Sequence, residues 1–231
     1  MTIDYGDFTK ASNLVHWIQG GALLALGAAE ACALGDKGKK FVLAAALVLA
    51  FSGAAMFAAV LALPGGWSFE QLQTALTVRR GFYLFIAFAC LYGAAGLSLL
   101  THEALGRSGG GWRAMFLALL ALAGGLYFMM AGRVNEDVWR QVMVLHSAIG
   151  VTLLLAVAAK TADAFFSRRP LHLAWAVLLI ITGLQLVIYR ETAGAFAPRL
   201  VTLESAPEVP PAAQPAPLNN AKPADKKRPG N

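Results

Sequence analysis

Six apolar runs, each long enough to cross a bilayer, constrain this chain more than any other feature. They lie at approximately 13–34, 41–63, 82–101, 112–132, 141–160 and 171–190. A hydrocarbon core about 30 Å thick needs about 20 apolar residues in a helix. Turn residues punctuate the short connections: Gly35-Asp36-Lys37-Gly38, Pro64-Gly65-Gly66, and the stretch 108–111. Barrel strands would instead be about 10 residues long and strictly alternating. The expected fold is therefore all-α, a polytopic membrane bundle of six transmembrane helices. The stretch 67–78 is polar enough to lie along the interface as a short amphipathic helix. Trp67, Trp112 and Trp139 fall at the ends of elements, as an interfacial aromatic belt requires.

Composition agrees with this reading. Hydrophobic residues make up 58% of the 231, and charged residues 14%, against roughly 45–50% and about 25% in soluble domains. A soluble globule of this size could not hide that much apolar surface. An ordinary cytosolic enzyme, a nucleic-acid reader and a disordered chain are thereby excluded. The net charge of +6 comes from Lys and Arg between apolar runs, where such residues mark the headgroup region. They divide almost evenly between the two sides, and the shorter loops favour both termini outside. Cys32 and Cys90 sit inside apolar runs without a CxxC or CxxCH spacing. No disulfide framework, zinc site or covalent haem attachment follows. The N-terminal stretch is acidic and lacks a signal-peptide pattern, so the first run is expected to be retained. The chain divides into a membrane domain, 1–200, and a Pro-, Ala- and Lys-rich tail, 201–231, expected to be disordered.

Sliding the sequence by 130 residues aligns the first two runs with the last two. Leu14-Val15-His16 falls on Val144-Leu145-His146, Gly20 on Gly150, and Ser52-Gly53 on Thr182-Gly183. Two readings follow: coincidence between apolar helices, or two related hairpins forming a parallel repeat about an axis along the membrane normal.

All four histidines sort into same-side pairs. His16 and His146 lie near the starts of the first and fifth helices, which run parallel. His102 ends the third helix and His172 begins the sixth, on the opposite side. Polar side chains within a bilayer tend to face the bundle interior and carry function. Paired imidazoles on different helices suit axial ligation of a b-type haem. Gly20 and Gly27 lie within about 40° of His16 on a helical wheel, a side-chain-free strip on which a porphyrin could rest. Gly150 stands in the same relation to His146. The competing reading is that these small residues simply let helices pack closely. One haem b is expected at His16 and His146, and a second is the further expectation at His102 and His172, where a helix-end histidine can also simply be wet.

Glu30 and Lys160 form another pair related by 130 residues, each about 21 Å beyond its histidine. They either neutralise each other, or Lys160 snorkels to the interface while Glu30 is protonated or wet. Gln19 and Gln185 offer hydrogen bonds to a quinone or to another helix. Arg79, Arg80, Arg133 and Arg140 share the side of His16 and His146, where they would suit haem propionates or need no ligand at all.

Leu14-Val15-His16-Trp17 resembles the opening helix of bacterial cytochrome b561-type and related membrane b-type cytochromes. The stretch Leu145-His146-Ser147-Ala148-Ile149-Gly150 looks like their later His-x-x-x-Gly helix. Leu171-His172 leading to Thr182-Gly183 is similar to their final histidine-bearing helix. The resemblance covers about half the chain and departs from the family's four-helix core by two extra helices. It implies histidines that ligate two haems and pass electrons between quinone or low-potential donors and partner proteins, in a bacterial inner membrane. Metal-binding residues under that resemblance are His16, His146, His102 and His172. The alternatives are a cofactor-free transporter of ions or small solutes, or a structural or assembly subunit. Beyond the lipid bilayer, the partners expected are a quinone or a redox protein, and no nucleic acid.

Overall fold

The structure is a computed structural model that describes residues 4–34, 38–106, 110–192 and 194–197. The tail expectation, 201–231, lies outside the described residues. The described residues form seven α-helices: α1 (Tyr5–Cys32), α2 (Lys39–Ala62), α3 (Phe69–Val78), α4 (Tyr83–Leu105), α5 (Trp112–Leu126), α6 (Glu136–Phe166) and α7 (Arg169–Ile188). Two 3-10 segments join them, Arg80–Phe82 before α4 and Tyr127–Arg133 after α5.

Helix ends follow local chemistry. Asp4 caps α1 by accepting the Gly6 N–H at 2.8 Å, and Ser68 does the same for α3 from Gln71. Gly106 ends α4 at φ 64°, a conformation that suits glycine. The apolar runs locate the helices but not their lengths. α1 begins at Tyr5 rather than near 13, and α6 spans Glu136–Phe166 rather than 141–160. Their polar first turns are helical without being apolar.

Five segments are long and apolar enough to cross a membrane: Lys39–Ala62, Arg80–Leu105, Trp112–Arg133, Glu136–Phe166 and Arg169–Ile188. The six-span expectation is thus met at five helices. α1 has the length, but His16, Gln19 and Glu30 interrupt its apolar stretch.

The long helices close into a ring in the order α1–α2–α4–α5–α6–α7, with α7 returning to α1. The short α3 packs outside it, against α2 and the Arg80–Phe82 turn. Large apolar side chains face outward: Phe51 is 69% exposed, Phe165 80% and Ile188 73%. Leu23, Leu26, Leu49, Phe88, Leu153, Leu179 and Trp175 are fully buried inside.

Close packing at two seams depends on glycine. A Cβ on Gly20 of α1 would lie 2.6 Å from the Gly183 carbonyl oxygen of α7, and one on Gly150 of α6 would lie 2.8 Å from the Gly124 carbonyl oxygen of α5. Backbones approach that closely only where side chains are absent.

Candidate functional site

His16 and His146 meet. Their Nε2 atoms lie 3.1 Å apart, and both residues are 0% exposed. α1 and α6 are not ring neighbours, since α7 stands between them, so the two side chains reach each other across the bundle interior.

Each imidazole is fixed by its own helix. The His16 Nδ1–H donates to the Ser12 carbonyl at 2.6 Å, and the His146 Nδ1–H donates to the Val142 carbonyl at 2.9 Å. A carbonyl only accepts, so both Nδ1 atoms carry the proton. In the neutral rings both Nε2 atoms therefore carry lone pairs, and these converge on one buried point. An Nδ1–H held by a backbone carbonyl is the arrangement that orients a ligating histidine. Aromatic rings enclose the pair: Tyr189 lies 4.8 Å from the His16 ring and 4.6 Å from the His146 ring, with Phe85 edge-on to His16 at 6.0 Å.

A second layer of polar groups surrounds these rings. Arg133 and Glu191 form an ion pair at 2.7 Å. Ser12 Oγ donates to Glu191 at 2.7 Å and accepts from Arg133 at 3.1 Å, and the Tyr189 hydroxyl donates to the other Glu191 oxygen at 2.9 Å. Burial pushes the Glu191 carboxyl upward. The Arg133 guanidinium and the bonds from Ser12 and Tyr189 outweigh that, holding it below the ordinary range. Burial, followed by the neighbouring Glu191 charge, raises the Tyr189 hydroxyl. Deeper inside, the Tyr127 hydroxyl donates to Gln19 Oε1 and accepts from Tyr92, each at 3.2 Å.

The glycines expected to form a porphyrin strip face elsewhere. Gly20 lies against α7, and Gly27 lies against Ala176 and Ile180 of the same helix. Gly150 lies against α5. Gly20 and Gly27 on α1, and Gly150 on α6, lie on flanks that a ring neighbour covers, so they are taken up by helix packing. Arg133, an expected propionate partner, is committed to Glu191 and Ser12. Arg79 bonds the Phe196 carbonyl and lies over the Tyr5 ring.

At the other end of the bundle, Lys160 donates to Glu30 at 2.8 Å and to His172 Nδ1 at 3.3 Å. The His172 Nε2–H donates to the Glu30 carbonyl at 3.0 Å. The 130-residue pair Glu30 and Lys160 is thus in contact. His102 and His172 line one polar cavity of about 460 Å³. His172 has both ring nitrogens engaged, whereas His102 Nδ1 is buried and has no partner among the described residues. Between the two polar ends lie Leu23, Leu26, Leu153 and Leu179, all fully buried.

Sequence reasoning missed Ser12, Tyr127, Tyr189 and Glu191. Glu191 follows the last apolar run, where nothing in the spacing ties it to Arg133. Among the described residues, no three His, Cys, Asp or Glu side chains gather as a metal-binding group. No family model, curated protein or solved structure matches this chain.

Proposed function

We propose that this chain is an integral membrane electron carrier of the b-type cytochrome kind, with His16 and His146 as the axial ligands of one haem b. The observation that carries this reading is the convergence of two Nε2 lone pairs on a single buried point. A bare metal ion would need further protein donors there, and no third His, Cys, Asp or Glu joins the pair among the described residues. A haem would bring its own nitrogen donors, and His16 and His146 would be the residues to hold it.

Haem suits the donors but not the present space. The Nε2 atoms stand at 3.1 Å, hydrogen-bond distance, which leaves no room for a metal between them. Four cavities among the described residues, with Glu30, Gln185, Ala121 and Arg169 in their respective walls, are lined by neither histidine. Binding would therefore require the imidazoles to part. The chain's own contribution is to fix both Nδ1–H groups on carbonyls and to exclude water with Phe85, Tyr127 and Tyr189.

Six crossings are part of this proposal. α1 is 28 residues, about 42 Å at 1.5 Å per residue, and it packs between two helices of spanning length. The repeat reading is supported by two contacts between residues 130 apart, His16 with His146 and Glu30 with Lys160. Against it, α1 packs on α7 while α2 and α6 are not ring neighbours. The setting proposed is a bacterial inner membrane, with a quinone or a redox protein as electron partner. One haem is proposed rather than two, because both nitrogens of His172 are occupied.

The apolar block between the two polar ends favours electron transfer over an ion path. A cofactor-free reading has one observation in its favour: 3.1 Å is hydrogen-bond distance, so a single added proton would bridge the two Nε2 atoms. Haem content of purified protein separates the two. Wild type and His102→Ala should carry haem, while His16→Ala and His146→Ala should each lose it. Haem retained by both of the latter variants would refute the ligand assignment.

A further inference from the structure

Arg113, in the first turn of α5, stands where three cavities meet. An apolar groove of about 520 Å³ runs along the outer face between α5 and α6, past Ala118, Ala121 and Val157. A polar pocket of about 430 Å³ containing Asp163, Arg169 and His172 adjoins it. The third is the polar cavity that holds Lys39, His102 and Glu103. Arg113 lines all three, and the exposed Ala164 lines both the groove and the pocket.

Among the described residues, no carboxylate lies within ion-pair distance of Arg113, Arg169 or Lys39. Glu30 is different: Lys160 neutralises it and His172 lies beside it at 3.2 Å. Asp163 Oδ2 has His172 Nδ1 at 3.6 Å as its one ion-pair neighbour among the described residues, and Asp163 and Glu103 share the polar cavity with Arg113 and Lys39, at the depth where α5 and α7 begin. An apolar groove leading from that point outward is continuous with the lipid-facing surface.

We propose that this junction binds a phospholipid whose headgroup carries both a phosphate and a primary ammonium. One acyl chain lies in the α5–α6 groove. The phosphate meets Arg113 and Arg169, since a guanidinium suits phosphate geometry. The ammonium faces Asp163 and Glu103. The mixed charge of the lining selects this class. A purely anionic headgroup would set its negative charge against those two carboxylates, and a quaternary ammonium has no N–H to donate to them. The proposal rests on the membrane setting and is independent of haem.

The test is native mass spectrometry of the full chain, delipidated in mild detergent. Phosphatidylethanolamine, phosphatidylcholine and phosphatidylglycerol with the same acyl chains are added separately. Wild type should retain phosphatidylethanolamine above the other two. Arg113→Ala should weaken that retention about tenfold, the scale of one charge-assisted hydrogen bond. Ala118→Trp, which fills the groove from the lipid side, should abolish it. Leu97→Trp, on the lipid-facing side of α4, should leave it unchanged, and thermal melts confirm that each variant is folded. Equal retention of all three lipids, preference for phosphatidylglycerol, or wild-type retention by Arg113→Ala and Ala118→Trp would each overturn the proposal.

Discussion

The Arg133 guanidinium and the Glu191 carboxylate lie 2.7 Å apart, with both side chains at 0% exposure. Glu191 lies beyond the end of α7 and Arg133 ends the 3-10 segment after α5, so the pair ties the chain beyond the last helix to the histidine end of the bundle.

Removing one partner leaves the other charged and buried. Glu191→Ala should therefore destabilise the protein by ~3–5 kcal/mol, the range for breaking a buried pair, read from thermal or denaturant unfolding in detergent. The pH dependence has a definite sign. The folded Glu191 carboxyl is depressed, so its contribution is present above the unfolded carboxylate value and is lost as pH falls through the folded one. Glu191→Gln should flatten that acid limb of the stability curve. An unchanged limb would place the acid sensitivity elsewhere.

Glu30 and Lys160 give a second, independent pair, at 2.8 Å. Either single change, Glu30→Leu or Lys160→Met, strands a charge in a mostly buried site. The double variant removes both charges and should be more stable than either single one, since apolar replacement of a buried pair is often neutral or better. Additive losses would show that the two groups do not act as a pair.

Two adjacent glycines test the helix seam. A Cβ on Gly20 collides with the Gly183 carbonyl oxygen, while one on Gly21 meets nothing within 4 Å. Gly20→Ala should cost about 1–3 kcal/mol through forced separation of α1 and α7. Gly21→Ala should be neutral or slightly stabilising. Equal effects would mean the seam is looser than described.

The pattern of apolar runs made the helices legible because length and hydropathy are local properties. Pairing by depth also brought His16 near His146 and Glu30 near Lys160, since position along parallel helices fixes height. What the sequence could not convey was azimuth in the ring. Gly20 shares a face with His16 on a wheel, yet that face is shared again between the interior and α7. Helix order therefore decided what the glycine touches. Glu191 was hidden for a related reason: it sits in an irregular segment that has no period from which to infer direction.

Topology has its own test. Reporter fusions after residues 37, 107 and 168 should all report one side of the membrane, and fusions after 70, 136 and 215 the other. These six sites all follow α1 and test the five later crossings; a seventh reporter at the N-terminus tests α1, and should share the side of the fusion after 215 if α1 spans. If α1 does not span, residue 37 remains on the side of the N-terminus and the two termini lie on opposite sides.

The most direct measurement is the visible spectrum of wild-type protein produced with ample haem, recorded oxidised and then after dithionite. The account predicts a sharp reduced α-band of low-spin b haem held by two imidazoles, absent in His16→Ala and His146→Ala. A folded, monodisperse wild type with no haem absorption would contradict it, leaving the 3.1 Å contact between His16 and His146 as a shared-proton pair rather than a cofactor site.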